Sequence, residues 1–519
     1  MVPILRSLTP AVALLFPAAA ALAQTLAPPS CIGARVVSEA KDLLPIETIE
    51  IDEPMPVPHA LPVPDGAAPF RFEPRIASPT VPSSAALVQS FAGLGDNNTS
   101  APPDTNGAVG PNHLFVTLNS QVQVQTRGGA AVQTLSLRTF FDPVRQNGRV
   151  FDPHVVFDGR AGRWIVAAVG DQKTTSTGTR TGSGLLLAIS DGVDPTGHWS
   201  EYRFAAASGV WYDYPLLGYD DAKITISLNV YALADNKFQH AVIYVIPRPN
   251  LASTVRFDLS SSLGASLAPT VSLDAGTATY LLQTWNSNAS GVGYLRLSTV
   301  STAAVTPVAF VSSPAPWAFD AEQDLAPQLG KPEKISAGDD RLNGAVLRNG
   351  SIWTAQTIYL PAGSSPSRAS VQWWQVSLAG TPQQRGTIDD PSGQFFYAYP
   401  SIAVNRRNDA LLGFSRFSAT TFGSTGYATR AGSDDANAMS PPVIFKNGEA
   451  PYYKVSDTSP PSANRWGDYS AAVVDPLNDV DFWAIEEYAA LPVASDRWGT
   501  WWVQVMPSAP PPRRRAARH

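Results

Sequence analysis

The chain has 519 residues, 37 basic against 43 acidic, and a pI near 5.6, with no basic patch in its central region. That balance argues against a nucleic-acid surface. Hydrophobic residues at 44% suffice for a large core, while 38 Gly and 46 Pro call for many turns and few long helices.

The chain opens with Arg6, an apolar stretch from Ala11 to Leu22, and the small-x-small pattern Ala21-Leu22-Ala23. Residues 1–23 therefore read as an export signal, and the product as periplasmic or extracellular. Pro17 interrupts a run already shorter than the ~20 apolar residues of a bilayer span, so no membrane span is expected. The single cysteine, Cys31, allows no intramolecular disulfide. Residues 24–83 form a Pro-rich leader in which PMPVPHALPVPDG resembles a polyproline linker. Residues 509–519 end the chain as a Pro-rich, then basic, disordered tail.

Between them, residues 84–508 repeat one phrase: a polar anchor, a short apolar run, a turn and a second strand. Aligned on the turn, the anchors are Asp104, Asp152, Asp213, Pro269, Asn343, Tyr399 and Asp468, spaced 48 to 74 residues apart. Most phrases continue into two further strand-like segments that alternate apolar and polar residues. Such a repeat predicts an all-β, seven-bladed propeller of four-stranded antiparallel blades. The last phrase lacks one strand, which would leave an unpaired edge. The segment AALVQSFAGL, Ala85 to Leu94, precedes the first anchor and is expected to complete that last blade.

The first strand of a blade lines the central channel, so the anchors should stand near one mouth. Asp213 and Asp468 are the candidate catalytic acids. Asp104, Asp152, His154, Trp211, Tyr214, Tyr399, Arg465, Trp466 and Tyr469 are candidate ligand-binding residues. Aromatic faces stack on sugar rings, and carboxylates take hydroxyl hydrogen bonds or, as a pair, hydrolyse a glycosidic link. The competing expectation is structural: each Asp bonds backbone N–H groups at a blade junction, repeated because the blades repeat. Arg465 in RWGDYS can fork a ligand carboxylate or bond a neighbouring blade's Asp.

No P-loop, GxSxG elbow, dinucleotide fingerprint or HExxH motif occurs, and the six His are scattered. No cofactor is evident. The oxygen-rich turns at Asp475, Asn478, Asp479 and Asp481 and at Asp104-Thr105-Asn106-Gly107 offer partial sites for structural calcium, and both are also good turn sequences. Of the neighbours Glu486 and Glu487, strand alternation should send one toward the channel and leave the other solvated.

The phrases PPDTNGAVGPNH, AISDGVDPTGHW and RWGDYS resemble those of a widespread group of secreted bacterial propellers, a likeness that implies the fold but no settled activity. More distantly, the run Ser190-Asp191-Gly192 through Asp194, Gly197 and Trp199 is similar to the Asp box of sialidase propellers. That likeness implies an arginine trio for a substrate carboxylate, for which Arg341, Arg416 and Arg465 are candidates by position. Two functions follow as expectations: a monomeric module that binds an extracellular glycan or other polymer at the channel mouth, or a glycoside hydrolase or lyase of sialidase-like architecture.

Overall fold

The computed structural model describes residues 85–508 apart from residues 147, 173–181, 249, 290, 314, 320–324, 364 and 456–462. Of the leader it also describes residues 22–25, 30–36, 50–51, 55–58 and 61–62. Most of the expected export signal and the whole basic tail lie outside the described residues.

The described chain is all-β, with one four-residue α-helix, Leu137–Phe140, and two short 3-10 turns. That helix takes up the end of AVQTLSLRTFF, which alternation reads as a strand of the first phrase. Its cause is local: Ser136 caps it by accepting the Thr139 N–H at 2.9 Å.

The strands form antiparallel meanders. Residues 106–136, 149–205, 210–258, 268–313, 342–388 and 396–446 each pair four consecutive strands in sequence order. The last group takes Ala471–Val474, Phe482–Val493 and Ser495–Met506 from the end of the chain. Its fourth strand is Ala86–Gly95, antiparallel to Ser495–Met506. First strands of neighbouring meanders lie side by side, and those of the 210, 268 and 342 meanders pair in parallel, as at Tyr219 with Val271 and Val271 with Val346.

Period-two alternation explains the packing. In Arg163–Gln172, Ile165, Ala167 and Val169 face one core cluster, while Trp164, Val166 and Ala168 face another. Leu185 and Leu187 divide from Leu186 and Ala188 in the same way. Each meander is thus a layer with apolar packing on both faces, so its middle strands read as near-continuous apolar runs. Tight approaches demand glycine at two points. A side chain at Gly110 would strike the Trp164 ring at 2.5 Å, and Gly129, with φ +88°, turns a hairpin directly over Phe91.

The leader is more than a linker. Ser30–Val36 adds a strand to His198–Ala205, and Leu22–Thr25 adds one to Val255–Asp258. Met55, Val57 and Leu61 are buried, Trp285 Nε1 donates to the Pro62 carbonyl at 2.8 Å, and Asn286 Nδ2 donates to the Leu61 carbonyl at 2.7 Å. Pro residues leave few N–H groups to satisfy, so such a segment can lie on a body and offer it carbonyls.

Candidate functional site

Several first strands break register at the same place, between Phe151 and His154, Asp213 and Leu216, Leu342 and Ala345, and Ala398 and Ser401. At three of these bulges one residue turns left-handed: Asp152 (φ 53°), Tyr214 (53°) and Tyr399 (54°), each followed by Pro. Asp104 (50°) and Ser266 (50°) hold the matching positions in their meanders. The anchors therefore align on Tyr214 and Ser266 rather than on Asp213 and Pro269.

Left-handed backbone at non-Gly residues is costly and persists only where neighbours hold it. Here the holding groups come from the adjacent meander. Asp152 N donates to Asn119 Oδ1 at 2.7 Å, Tyr214 N to Asp152 Oδ2 at 3.1 Å, and Ser266 N to Asn229 Oδ1 at 2.8 Å. Tyr399 N donates to Thr357 Oγ1 at 3.0 Å, and Asp468 N to Asp104 Oδ1 at 2.9 Å. Asp104 Oδ2 also accepts Asn119 Nδ2 at 2.6 Å, and Asp152 Oδ2 accepts the Tyr469 hydroxyl at 3.1 Å. Both carboxylates are buried and spent on these clamps. Replacing Asp104 with Ala removes the acceptor from the Asp468 N–H and from one of the two hydrogen bonds of Asn119 Nδ2. We expect a loss of about 3 kcal/mol in denaturant unfolding, with Asp104→Asn losing less. An unchanged midpoint for Asp104→Ala would remove the clamp from the account.

The two tryptophans singled out as sugar platforms are core residues. Trp211 is 1% exposed and stacks on Tyr231, centroids 5.1 Å apart. Trp466, also 1% exposed, donates Nε1 to Ser415 Oγ at 3.0 Å and packs edge-on against Phe417 and Tyr452. Tyr399 is buried too, its hydroxyl donating to the Ser336 carbonyl at 2.8 Å. Residue type suggested exposure; strand facing decided against it at Trp211 and Tyr399, and packing of the stretch ahead of Ala471–Val474 at Trp466.

Around Tyr214 the structure gathers a different set. The Arg341 guanidinium lies 4.5 Å from its ring centroid and forks onto Asp339, with Nε 2.9 Å from both oxygens. Arg465, nearly buried, pairs with Asp468 at 2.8 Å, and the Asp468 side chain keeps 19% exposure. Tyr469 packs against Tyr214 at 5.0 Å and against His154 at 4.4 Å. Burial raises the Tyr214 hydroxyl well above its ordinary pKa; Arg341 opposes this, while Asp468, Asp339 and Asp152 add to it. Burial does the same to Tyr231, with the charge of Asp213 adding to it. The structure thus groups Asp468, Arg465, Tyr214 and Tyr469 of the expected set with Asp339 and Arg341. Asp339 carried no signal in the sequence, since it lies in a loop outside the repeating phrase. Arg416 stacks over Phe395 at 4.8 Å, while Arg341 and Arg465 each hold an aspartate of their own.

Three further ionisable groups are buried nearby. Burial lowers His154 to about 4, with the Asp152 backbone pulling weakly the other way. Its imidazole is neutral at pH 7. Burial raises Glu486 and Glu487 well above the usual carboxylate range, and the charges of Asp104 and Asp96 add to this at Glu487. Glu487 is therefore not solvated as the alternation suggested. In a stack of layers both faces of a strand are interior. Glu486 Oε1 accepts Ser401 Oγ at 3.2 Å.

Among the described residues no group of three or more His, Cys, Asp or Glu is placed to hold a metal. The oxygen-rich turn near Asp475 spends its groups internally. Asp475 bonds Arg127 and Trp483 Nε1, Asp479 bonds Arg348, and Asn478 Oδ1 accepts the N–H groups of Val480 and Asp481 at 2.9 Å.

No family model and no curated protein matches the chain. Among solved structures it is similar to a protein of unknown function from Dyadobacter fermentans, at 12% identity and TM-score 0.37, over 70% of this chain and 97% of that one. It is also similar to Trypanosoma rangeli sialidase in complex with sialic acid, at 9% identity and TM-score 0.36, over 76% of this chain and 59% of that one. A third is Penicillium chrysogenum α-L-arabinanase complexed with arabinobiose, at 10% identity and TM-score 0.36, over 82% of this chain and 98% of that one. Scores this low carry no inference about substrate or mechanism.

The Asp-box-like run does lie at the turn between Gly184–Ser190 and His198–Ala205, the third and fourth strands of its meander. Trp199 Nε1 donates to the Pro195 carbonyl at 2.9 Å, and Ser190 Oγ accepts the Trp164 N–H at 2.8 Å. The turn is a packing device. Among the described residues no helix is long and apolar enough to cross a membrane.

Proposed function

We propose that the meanders close into one seven-bladed propeller, latched by Ala86–Gly95, and that this exported, monomeric body binds an extracellular glycan at the mouth around Tyr214. One observation favours binding over hydrolysis. Asp339 and Asp468, the partly exposed carboxylates of this mouth, are each committed to a guanidinium. A glycosidase of the two-carboxylate kind needs one carboxyl group kept protonated beside its substrate and a second free to act as base or nucleophile, whereas sialidases use a Tyr nucleophile. The carboxyls that burial shifts upward, Glu486 and Glu487, are enclosed between layers. Ion pairs at the rim instead offer fixed donors and acceptors to a polyhydroxylated ligand, with aromatic groups beneath.

The reading is tested by titrating a bound oligosaccharide against Arg341→Ala and Asp468→Asn. Each substitution should weaken binding at least tenfold, about 1.4 kcal/mol, while the melting curve keeps a single transition. Unchanged affinity in both variants would move the binding site elsewhere.

A further inference from the structure

A second site lies inside the body. First strands from every meander line a cavity of about 350 Å³. Val156, Val271, Val346 and Val473 belong to these inner strands yet are only half-buried, because cavity space rather than protein fronts them. Leu217 and Ile402 complete an apolar wall.

At one end the wall gives way to a polar collar of Asn106, His154, Asn343, Ser401 and Ser470. Four of these spend a polar atom on the protein. Asn106 Oδ1 accepts the Val155 N–H at 2.9 Å, Asn343 Oδ1 accepts the Tyr214 hydroxyl at 2.8 Å, Ser401 bonds Glu486, and Ser470 Oγ donates to the Tyr399 carbonyl at 2.8 Å. His154 differs. It is 6% exposed, and neither ring nitrogen makes a well-formed hydrogen bond, although the Asp152 backbone lies close enough to act on the ring. Buried polar groups without partners are rare, and such a group facing a cavity points to a ligand or ordered water. The far end of the cavity reaches Arg160 and Arg348, already paired with Asp221 and Asp479.

We propose that this cavity binds a small, uncharged, mostly apolar molecule with one hydrogen-bonding head, an alcohol or ketone, whose oxygen meets His154. A neutral imidazole carries one donor and one acceptor, so it serves a hydroxyl or a carbonyl equally. It offers no positive charge to a carboxylate, and the arginines at the far end are taken. The volume falls at the lower end of ligand sites, about 300–1,000 Å³, and the wall is apolar as such sites are.

The test is calorimetry and native mass spectrometry of the intact protein with 1-decanol, 2-decanone and sodium decanoate. The alcohol and the ketone should bind saturably at one site per chain, and decanoate at least tenfold more weakly. Val346→Phe fills the cavity and should abolish binding; Val271→Phe does the same from the neighbouring strand if the first variant does not fold. His154→Phe keeps the ring against Tyr469 but removes both nitrogens, and should weaken decanol binding about tenfold; it decides alone if neither filled variant folds. Absence of saturable binding leaves a water-filled channel and overturns the proposal. Equal binding of decanoate, full binding by a filled variant, or unchanged decanol affinity in His154→Phe overturns it as well.

Discussion

Deleting residues 86–95 should abolish cooperative unfolding of the whole body. This strand is bonded on two sides. Along Ser495–Met506 it supplies an antiparallel ladder with two register shifts, reinforced by Thr500 Oγ1 donating to the Leu94 carbonyl at 2.8 Å and by Gln89 Nε2 to Gln504 Oε1 at 2.7 Å. Toward the first meander it receives Gln125 Nε2 at the Ala92 carbonyl, 3.0 Å, and Gln121 Nε2 at the Gly95 carbonyl, 3.2 Å. Phe91 packs edge-on against Trp483 at 6.1 Å. Without the strand, Ser495–Met506 becomes an exposed edge, and the beginning of the chain no longer holds its end. Point substitutions scale the effect. Phe91 is only partly buried, so Phe91→Ala should cost about 2 kcal/mol, below the range for a fully buried Phe. A side chain at Gly93 would approach Thr500 Oγ1 to 2.6 Å, so Gly93→Val should cost as much again. Differential scanning calorimetry reads all three. A deletion variant that melts in one sharp transition at the parent temperature would contradict the latch.

Glu486→Gln should stabilise the protein increasingly as pH rises. A carboxyl whose folded pKa is raised holds its proton in the native state and releases it on unfolding. Its contribution is complete below the ordinary value of 4.5 and is lost as pH rises toward the folded pKa. Over that interval each such group costs about 1.4 kcal/mol per pH unit, and the amide removes one of them. His154 works in the opposite sense. Its folded pKa is lowered to about 4, so its contribution is complete above 6.5 and is lost as pH falls toward 4. Urea unfolding at pH 5 and pH 8 should show a small difference between the parent and Glu486→Gln at the lower pH and a large one at the higher. A gap that does not change with pH would mean that Glu486 is ionised in the native protein.

The strands were legible because alternation survives even in layers packed on both faces, and the Ala86–Gly95 strand because the last phrase is one strand short. The anchors were legible except where the alignment followed the wrong residue. In Asp152-Pro153, Tyr214-Pro215 and Tyr399-Pro400 the shared element is the Pro after the left-handed residue, not the carboxylate. Aligning on Asp213 missed this by one position, and Ser266 has neither mark. Trp211 and Trp466 misled for a simpler reason: a side chain's type does not say whether it faces the core or solvent. Asp339 and Arg341 come together through a loop just ahead of Leu342–Arg348, and no periodicity governs loops. The Pro-rich leader misled by composition, since its buried Met55, Val57 and Leu61 are too few to set up a pattern.

The measurement that reaches the central claim most directly is a glycan-array screen of the purified protein, with product analysis on every hit and the double variant Asp213→Asn, Asp468→Asn alongside. The account predicts retained ligand with no cleavage product, weakened in the double variant through Asp468. Turnover that disappears in the variant would make the protein a hydrolase or lyase and contradict the binding reading; no glycan retained at all would contradict the carbohydrate ligand itself.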